Sequence, residues 1–169
     1  MVLQFEESEF SRLNKQATAL KRAGDLQGAI TTLRLAKATQ EDLYQDTKLA
    51  LYLQKAGHFD ESMEEFTWLI RNSTAWAQAM FGHQPVSVIQ GQRAGWCARI
   101  HAKARLACER EIRPDLAEEH AQLAEKYMHI AQRLRPLGNT EVKARFAAWD
   151  DARREGPKAM QVYLSKVRP

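Results

Sequence analysis

Two cysteines among 169 residues leave no material for a disulfide framework. Cys97 and Cys108 stand eleven residues apart in what reads as one helix, a rise of about 16 Å, which is too far for a disulfide. Prolines number five and glycines eight, which excludes collagen-like and low-complexity chains. No apolar run approaches the ~20 residues of a membrane-spanning helix, so no membrane contact is expected. The opening MVLQFEESEF has neither the basic nor the apolar segment of a signal peptide, and the expected location is cytoplasmic.

Catalytic motifs are missing as well. There is no Walker loop, GxGxxG, HExxH or G-x-S-x-G, and none of the five histidines has a glutamate three residues before it, as a di-iron bundle needs. Cys97 and His101, one helical turn apart, supply at most half a metal site, and no second ligand pair accompanies them. Glu64 with Glu65, and Glu118 with Glu119, suit the first turns of helices, where carboxylates favour the helix dipole. No catalytic residue, metal or cofactor is expected, and the chain reads as a non-enzyme.

What is present is an internal repeat. Residues 17–36 match residues 50–69 at an offset of 33: Ala17 with Ala50, Leu20 with Leu53, Ala23-Gly24 with Ala56-Gly57, Leu26 with Phe59, Ala29-Ile30 with Ser62-Met63, Leu33 with Phe66, and Ala36 with Leu69. A period of this size marks stacked supersecondary units. Phe10, Leu13, Ala17 and Leu20 form one apolar stripe at spacings of three and four. Gly24 suits a left-handed C-cap, Asp25 an N-cap, and Ala29, Ile30, Leu33 and Ala36 make the stripe of the returning helix.

These residues resemble the tetratricopeptide repeat family, whose helix pairs carry small residues around a glycine-containing turn. The carriers are Ala17, Leu20, Gly24, Asp25, Leu26, Ala29, Leu33 and Ala36, then Ala50, Leu53, Gly57, Phe59, Ser62 and Phe66. Ser62 and Leu69 stand where the family usually has alanine, and the period is 33 rather than 34. The resemblance implies an all-α fold, a right-handed α-helical repeat solenoid of antiparallel helix pairs. The expected units are repeat 1 over 8–39, repeat 2 over 41–72, a divergent third helix pair over 85–135, and C-terminal capping helices over 140–167, all within a single domain.

In finer detail, the periodicity predicts a long fourth helix from near Asp60, with Asn72-Ser73-Thr74 as a candidate break, and a fifth from Pro85 to about Glu111. Along that fifth helix Gly91, Gly95, Ala98 and Ala102 line one side. Arg99, Lys103 and Arg110 form a basic ridge within about 40° of one another. Asp115 with Glu118 predicts a capping box for the sixth helix, and Pro136-Leu137-Gly138-Asn139 predicts its end, with a separate helix over 140–155.

Charge divides unevenly. Residues 1–80 hold 9 Lys/Arg against 11 Asp/Glu, and residues 81–169 hold 16 against 10, so the halves carry −2 and +6. In the family named above, the first helix of each pair lines a groove. Carried over, that lining is Asn14, Thr18, Lys21 and Arg22, then Tyr44, Thr47, Leu51 and Lys55. Arg99 and Lys103 join it from the helical-face argument alone. The implied function is a protein-binding adaptor, chaperone-like or immunity-type module, taking an acidic peptide or helix of another protein in a basic, polar groove. The lysine and asparagine set that holds chaperone C-termini in that family is not reproduced in full.

Two alternatives stand beside it. Nucleic-acid binding would use the later basic residues (Arg99, Lys103, Arg105, Arg110, Arg113, Arg133, Arg135, Arg145, Arg153 and Arg154), although acidic residues interrupt them and aromatics do not alternate with them. Self-association as a homodimer would use Trp68, Trp76, Phe81 and Trp96, unless these fill the core.

Overall fold

A computed structural model describes residues 8–39 and 46–167. Among them it holds seven α-helices and no strand, which makes the protein all-α. In order, α1 covers Glu9–Arg22, α2 Leu26–Thr39, α3 Lys48–Lys55, α4 Phe59–Phe81, α5 Val86–Arg110, α6 Pro114–Glu155 and α7 Pro157–Val167.

The two matching stretches fold alike. Gly24 and Gly57 take φ of +88° and +83°, a region where any other side chain meets its own backbone. At the first turn Asp25 N–H donates to Leu20 O at 3.0 Å, and at the second His58 N–H donates to Leu53 O at 2.9 Å. Both are the six-to-one bond that closes a helix over a left-handed residue. Asp25 then caps α2 as the sequence predicts, its Oδ1 accepting from Gly28 N–H at 2.7 Å. The matched positions Ala17, Ala29, Leu33, Ala36, Ala50, Ser62, Phe66 and Leu69 are all buried.

These side chains make two cores. Ala17, Ala29, Ile30, Leu33, Leu49, Tyr52 and Leu53 pack together between α1, α2 and α3. Ala50, Phe66, Leu69, Trp76, Trp96, Ile100, Ala104 and Ala107 pack between α3, α4 and α5. The short α3 lies between the two, and its Leu51 touches both. No Cα of α1 comes within 8 Å of a Cα of α3. The two helices are joined by long side chains, Lys48 Nζ donating to Asn14 Oδ1 at 3.2 Å. Across the other face, α2 reaches α4 through Lys37 and Glu65 (2.7 Å) and through Arg34 and Glu61 (2.7 Å).

The fourth helix is unbroken. Asn72 and Ser73 return their side chains to the carbonyls of Trp68 and Ile70, at 2.9 and 2.7 Å, and so satisfy themselves within the helix.

The third turn departs from the expectation. Among the described residues no side chain caps α6: Arg113 is its N-cap residue, Pro114 opens its first turn, and Asp115 lies inside that turn beside Arg113. The predicted capping box is therefore absent, because the fixed φ of proline already sets the helix start. The turn before it repeats the earlier two, with Arg113 N–H donating to Cys108 O at 2.9 Å. Its left-handed residue is Ile112, at φ +54°. By this bond Ile112 stands in its turn where Gly24 and Gly57 stand in theirs, and Ala117 follows it at the same distance as Ala29 and Ser62 follow the glycines.

The second correction concerns the end of α6. The predicted stop at Pro136–Asn139 and the separate helix over 140–155 do not occur, and α6 runs for 42 residues through Pro136, about 63 Å at 1.5 Å per residue. Proline removes the N–H that would bond Gln132 and crowds that carbonyl, yet α5 holds α6 on both sides of it. A methyl group on Gly91 would stand 3.3 Å from Leu134 Cβ, and one on Gly138 would stand 2.8 Å from Val88 Cγ2, so the backbones touch at glycines. Ser87 Oγ donates to Glu141 Oε2 at 2.5 Å, and Arg145 donates to the His83 carbonyl at 3.0 Å. Of the expected capping helices only α7 is separate, started by Gly156 (φ +103°) and Pro157 and returning along α6, where Tyr163 Oη donates to Arg145 O at 3.3 Å.

Candidate binding surface

Helices α1, α3 and α5 each bring a cation to one place near their C-terminal ends. Lys21 comes from the last turn of α1, Lys55 from the last turn of α3, and Arg110 from the last turn of α5. Each position favours a cation on its own, because unpaired carbonyls give a helix C-terminus partial negative charge. Here the three converge. Lys21 lies against Tyr52 and Arg110 against Gln54, both in the last turn of α3 that also carries Lys55, and the pKa of Lys55 is lowered first by the charge of Lys21, then by burial and by the charge of Arg110. Among the described residues no carboxylate lies within 4.0 Å of any of the three.

The positions of these cations are held by neighbours. Lys21 Nζ lies 5.7 Å from the ring centre of Tyr52, a buried residue of α3. Gln54, also buried, accepts from Arg110 Nη1 at 3.4 Å and donates to Glu111 Oε1 at 2.8 Å. One amide thus ties α3 to the end of α5, and it keeps the Glu111 carboxylate occupied.

The residues predicted to line a groove divide into several environments. Lys21 and Lys55 meet, as just described. Asn14 is buried, its amide donating to Phe10 O at 3.3 Å while its oxygen receives Lys48. Thr18 turns its hydroxyl back to Asn14 O at 2.9 Å. Asn14, Thr18 and Arg22 border a cleft on α1 together with Asp46 and Lys48. Thr47 is the N-cap residue of α3, though its side chain caps nothing, and Leu51 is half-buried between the two cores. Arg99 and Lys103 are exposed on α5, below Arg110 on the same stripe. Tyr44 lies outside the described residues. Helical spacing puts Arg110 on the basic ridge but not among the predicted groove residues. The missing signal is tertiary, since only the fold brings the end of α5 beside α3.

Other candidate residues are engaged elsewhere. Arg153 and Arg154 both pair with Asp150 (3.2 and 2.5 Å), Arg105 lies 3.5 Å from Glu109, and Arg113 lies 3.6 Å from Asp115. Four of the later arginines are therefore paired with nearby carboxylates. Trp76 and Trp96 are buried, Phe81 rests against Trp96 with ring centres 6.1 Å apart, and Lys37 Nζ covers Trp68 at 3.5 Å from its ring centre. The four aromatics are taken up by the chain's own packing. Exposed apolar side chains on α6 and α7 include Phe146, Trp149, Val162 and Leu164.

Cys97 and His101 face different neighbours. Cys97 Sγ lies 3.4 Å from Ser73 Oγ in α4, whereas His101 Nδ1 lies 2.9 Å from His120 Nδ1 in α6. Among the described residues no group of three or more His, Cys, Asp or Glu side chains is placed to hold a metal ion, and no helix is long and apolar enough to cross a membrane.

Comparison with protein-family models, with curated proteins and with solved structures gave no match in any of the three.

Proposed function

We propose that the chain is a protein-binding module of the tetratricopeptide-like helical-repeat kind, which takes an acidic peptide or helix of a partner protein along the face formed by α1, α3 and α5. The observation that carries this reading is the placing of Lys21, Lys55 and Arg110 around the last turn of α3, with no carboxylate of the described residues within 4.0 Å of any of them. Like charges held together cost free energy, and an acidic ligand recovers it. The matched turns at Gly24, Gly57 and Ile112 support a repeated helix-turn-helix plan. The exposed Arg99 and Lys103 extend the basic stripe down α5.

The test is affinity capture from native lysate at moderate salt, before and after nuclease treatment, with the wild-type chain and a variant combining Lys21→Glu, Lys55→Glu, Arg99→Glu and Lys103→Glu. The expected outcome is one dominant nuclease-resistant protein that the variant fails to hold while its circular dichroism stays helical. Unchanged capture by the variant sinks the placement of the groove. Bound material that disappears with nuclease moves the function to nucleic acid.

A further inference from the structure

We infer that the Lys21, Lys55 and Arg110 cluster receives a phosphoryl group, carried by a phosphorylated side chain of the segment that enters the groove; this rests on the protein-binding reading above. The cluster has three donors from the last turns of three helices, with Lys21 against Tyr52 and Arg110 against Gln54 on either side of Lys55, and a formal charge of +3. A single carboxylate offers two coplanar oxygens and one negative charge. It would leave two cations facing each other. A phosphate monoester carries about −1.5 to −2 charges at neutral pH on three terminal oxygens, so it has both the charge and the number of acceptors to meet two ammonium groups and a guanidinium fork together.

The surroundings fit an anion held by oriented donors. Gln54 is 7% exposed, and both ends of its amide are engaged, by Arg110 and by Glu111. It is therefore a positioning residue, one that fixes the angle of the Arg110 guanidinium without reaching the ligand. Tyr52 gives the Lys21 ammonium an aromatic neighbour without neutralising it. The dipoles of α1, α3 and α5 explain why each cation is tolerated singly, but they give no reason for the three to be brought together. The charges of Lys21 and Arg110 both lower the pKa of Lys55, and a bound dianion would oppose that shift.

The experiment is a titration of the labelled full chain with inorganic phosphate at pH 7.5, followed by nuclear magnetic resonance of the lysine and arginine side chains, with acetate at matched ionic strength as the control. Saturable shifts at Lys21, Lys55 and Arg110 are expected with phosphate and not with acetate. Lys55→Gln, at an exposed position, is expected to weaken the phosphate response about tenfold or more, and Arg110→Lys, which keeps the charge and loses the fork, also weakens it. Equal shifts with acetate, or a response indifferent to both variants, overturn the inference. A second arm repeats the lysate capture after phosphatase treatment. Loss of the partner supports the phosphoryl inference. A partner that survives phosphatase and is still lost with the groove variant overturns it and leaves the protein-binding reading standing. A partner indifferent to both treatments removes both.

Discussion

His101 and His120 meet ring to ring between α5 and α6, Nδ1 to Nδ1 at 2.9 Å, with Tyr127 stacked 5.6 Å from His101. Two such nitrogens share one proton: one donates, the other accepts, and both rings are neutral. Burial, and then the neighbouring His120, pushes the pKa of His101 down to about 4, and burial lowers that of His120 while the Glu119 carboxylate opposes the change. A histidine whose folded pKa is depressed contributes stability above its unfolded pKa of about 6.5 and loses it as pH falls toward 4. For His101 alone the loss is about 2 kcal/mol at pH 5. Urea midpoints at pH 7.5 and pH 5 measure it, and replacement of His101 and His120 together by Phe and Gln should flatten the dependence.

Ile112 occupies the position that Gly24 and Gly57 hold in the other two turns, and it is 84% exposed at φ +54°. A β-branched residue there is strained by roughly 1–3 kcal/mol and gains nothing from burial. Ile112→Gly is expected to stabilise the fold by about 1 kcal/mol, the remainder going to the greater freedom of glycine in the unfolded chain. Gly57→Val, the reverse change at the matching place, should destabilise by a similar amount or more. Thermal midpoints of the two variants test the equivalence, and a destabilised Ile112→Gly chain would contradict it.

The two ion pairs between α2 and α4 should behave differently. Lys37 and Glu65 have side chains 21% and 10% exposed, while Arg34 and Glu61 are 56% and 49% exposed. Removing Lys37 strands a mostly buried carboxylate and uncovers Trp68, so Lys37→Ala is expected to cost about 2 kcal/mol. Arg34→Ala should stay within about 0.5 kcal/mol, because solvent and salt screen that pair. Chemical denaturation of the single variants and of a double-mutant cycle with Glu65→Gln separates the pair from its parts.

At Pro136 the helix continues against its own residue. Pro136→Ala restores a backbone donor at an exposed position of α6 and is expected to stabilise by up to about 3 kcal/mol. Gly138→Val, two residues on, should destabilise by about 1–3 kcal/mol, since even its first carbon would stand 2.8 Å from Val88 Cγ2. Should Pro136→Ala prove neutral, the proline fits a bend that α5 imposes in any case.

These residues differ in how far the sequence alone reveals them. Ala17, Ala29, Leu33, Ala50, Phe66 and Leu69 were legible as core because period and size repeat along the chain, and Gly24 and Gly57 because only glycine takes their conformation without strain. The third turn was not legible, since isoleucine carries no turn signal and the hydrogen bond that defines the turn is a matter of backbone geometry. The stop at Pro136 failed for a different reason. Local chemistry favours a break there, and close packing on Gly91 and Gly138 from another part of the chain overrules it. For the binding surface, the stripe of Arg99, Lys103 and Arg110 was visible from helical spacing. The meeting of Lys21 with Lys55, and of both with Arg110, depends on how three helices are stacked.

The eight residues of α3 lie below the length at which an isolated helix persists in water. Its side chains complete the interior on one flank through Leu49, Tyr52 and Leu53, and on the other through Ala50. It exists, then, only while both neighbours are folded, and it ties their melting into a single cooperative event. The middle cation, Lys55, sits on this dependent segment. Whatever ligand grips Lys55 would also hold the two flanks together, so occupancy of the surface and the integrity of the whole chain become one equilibrium.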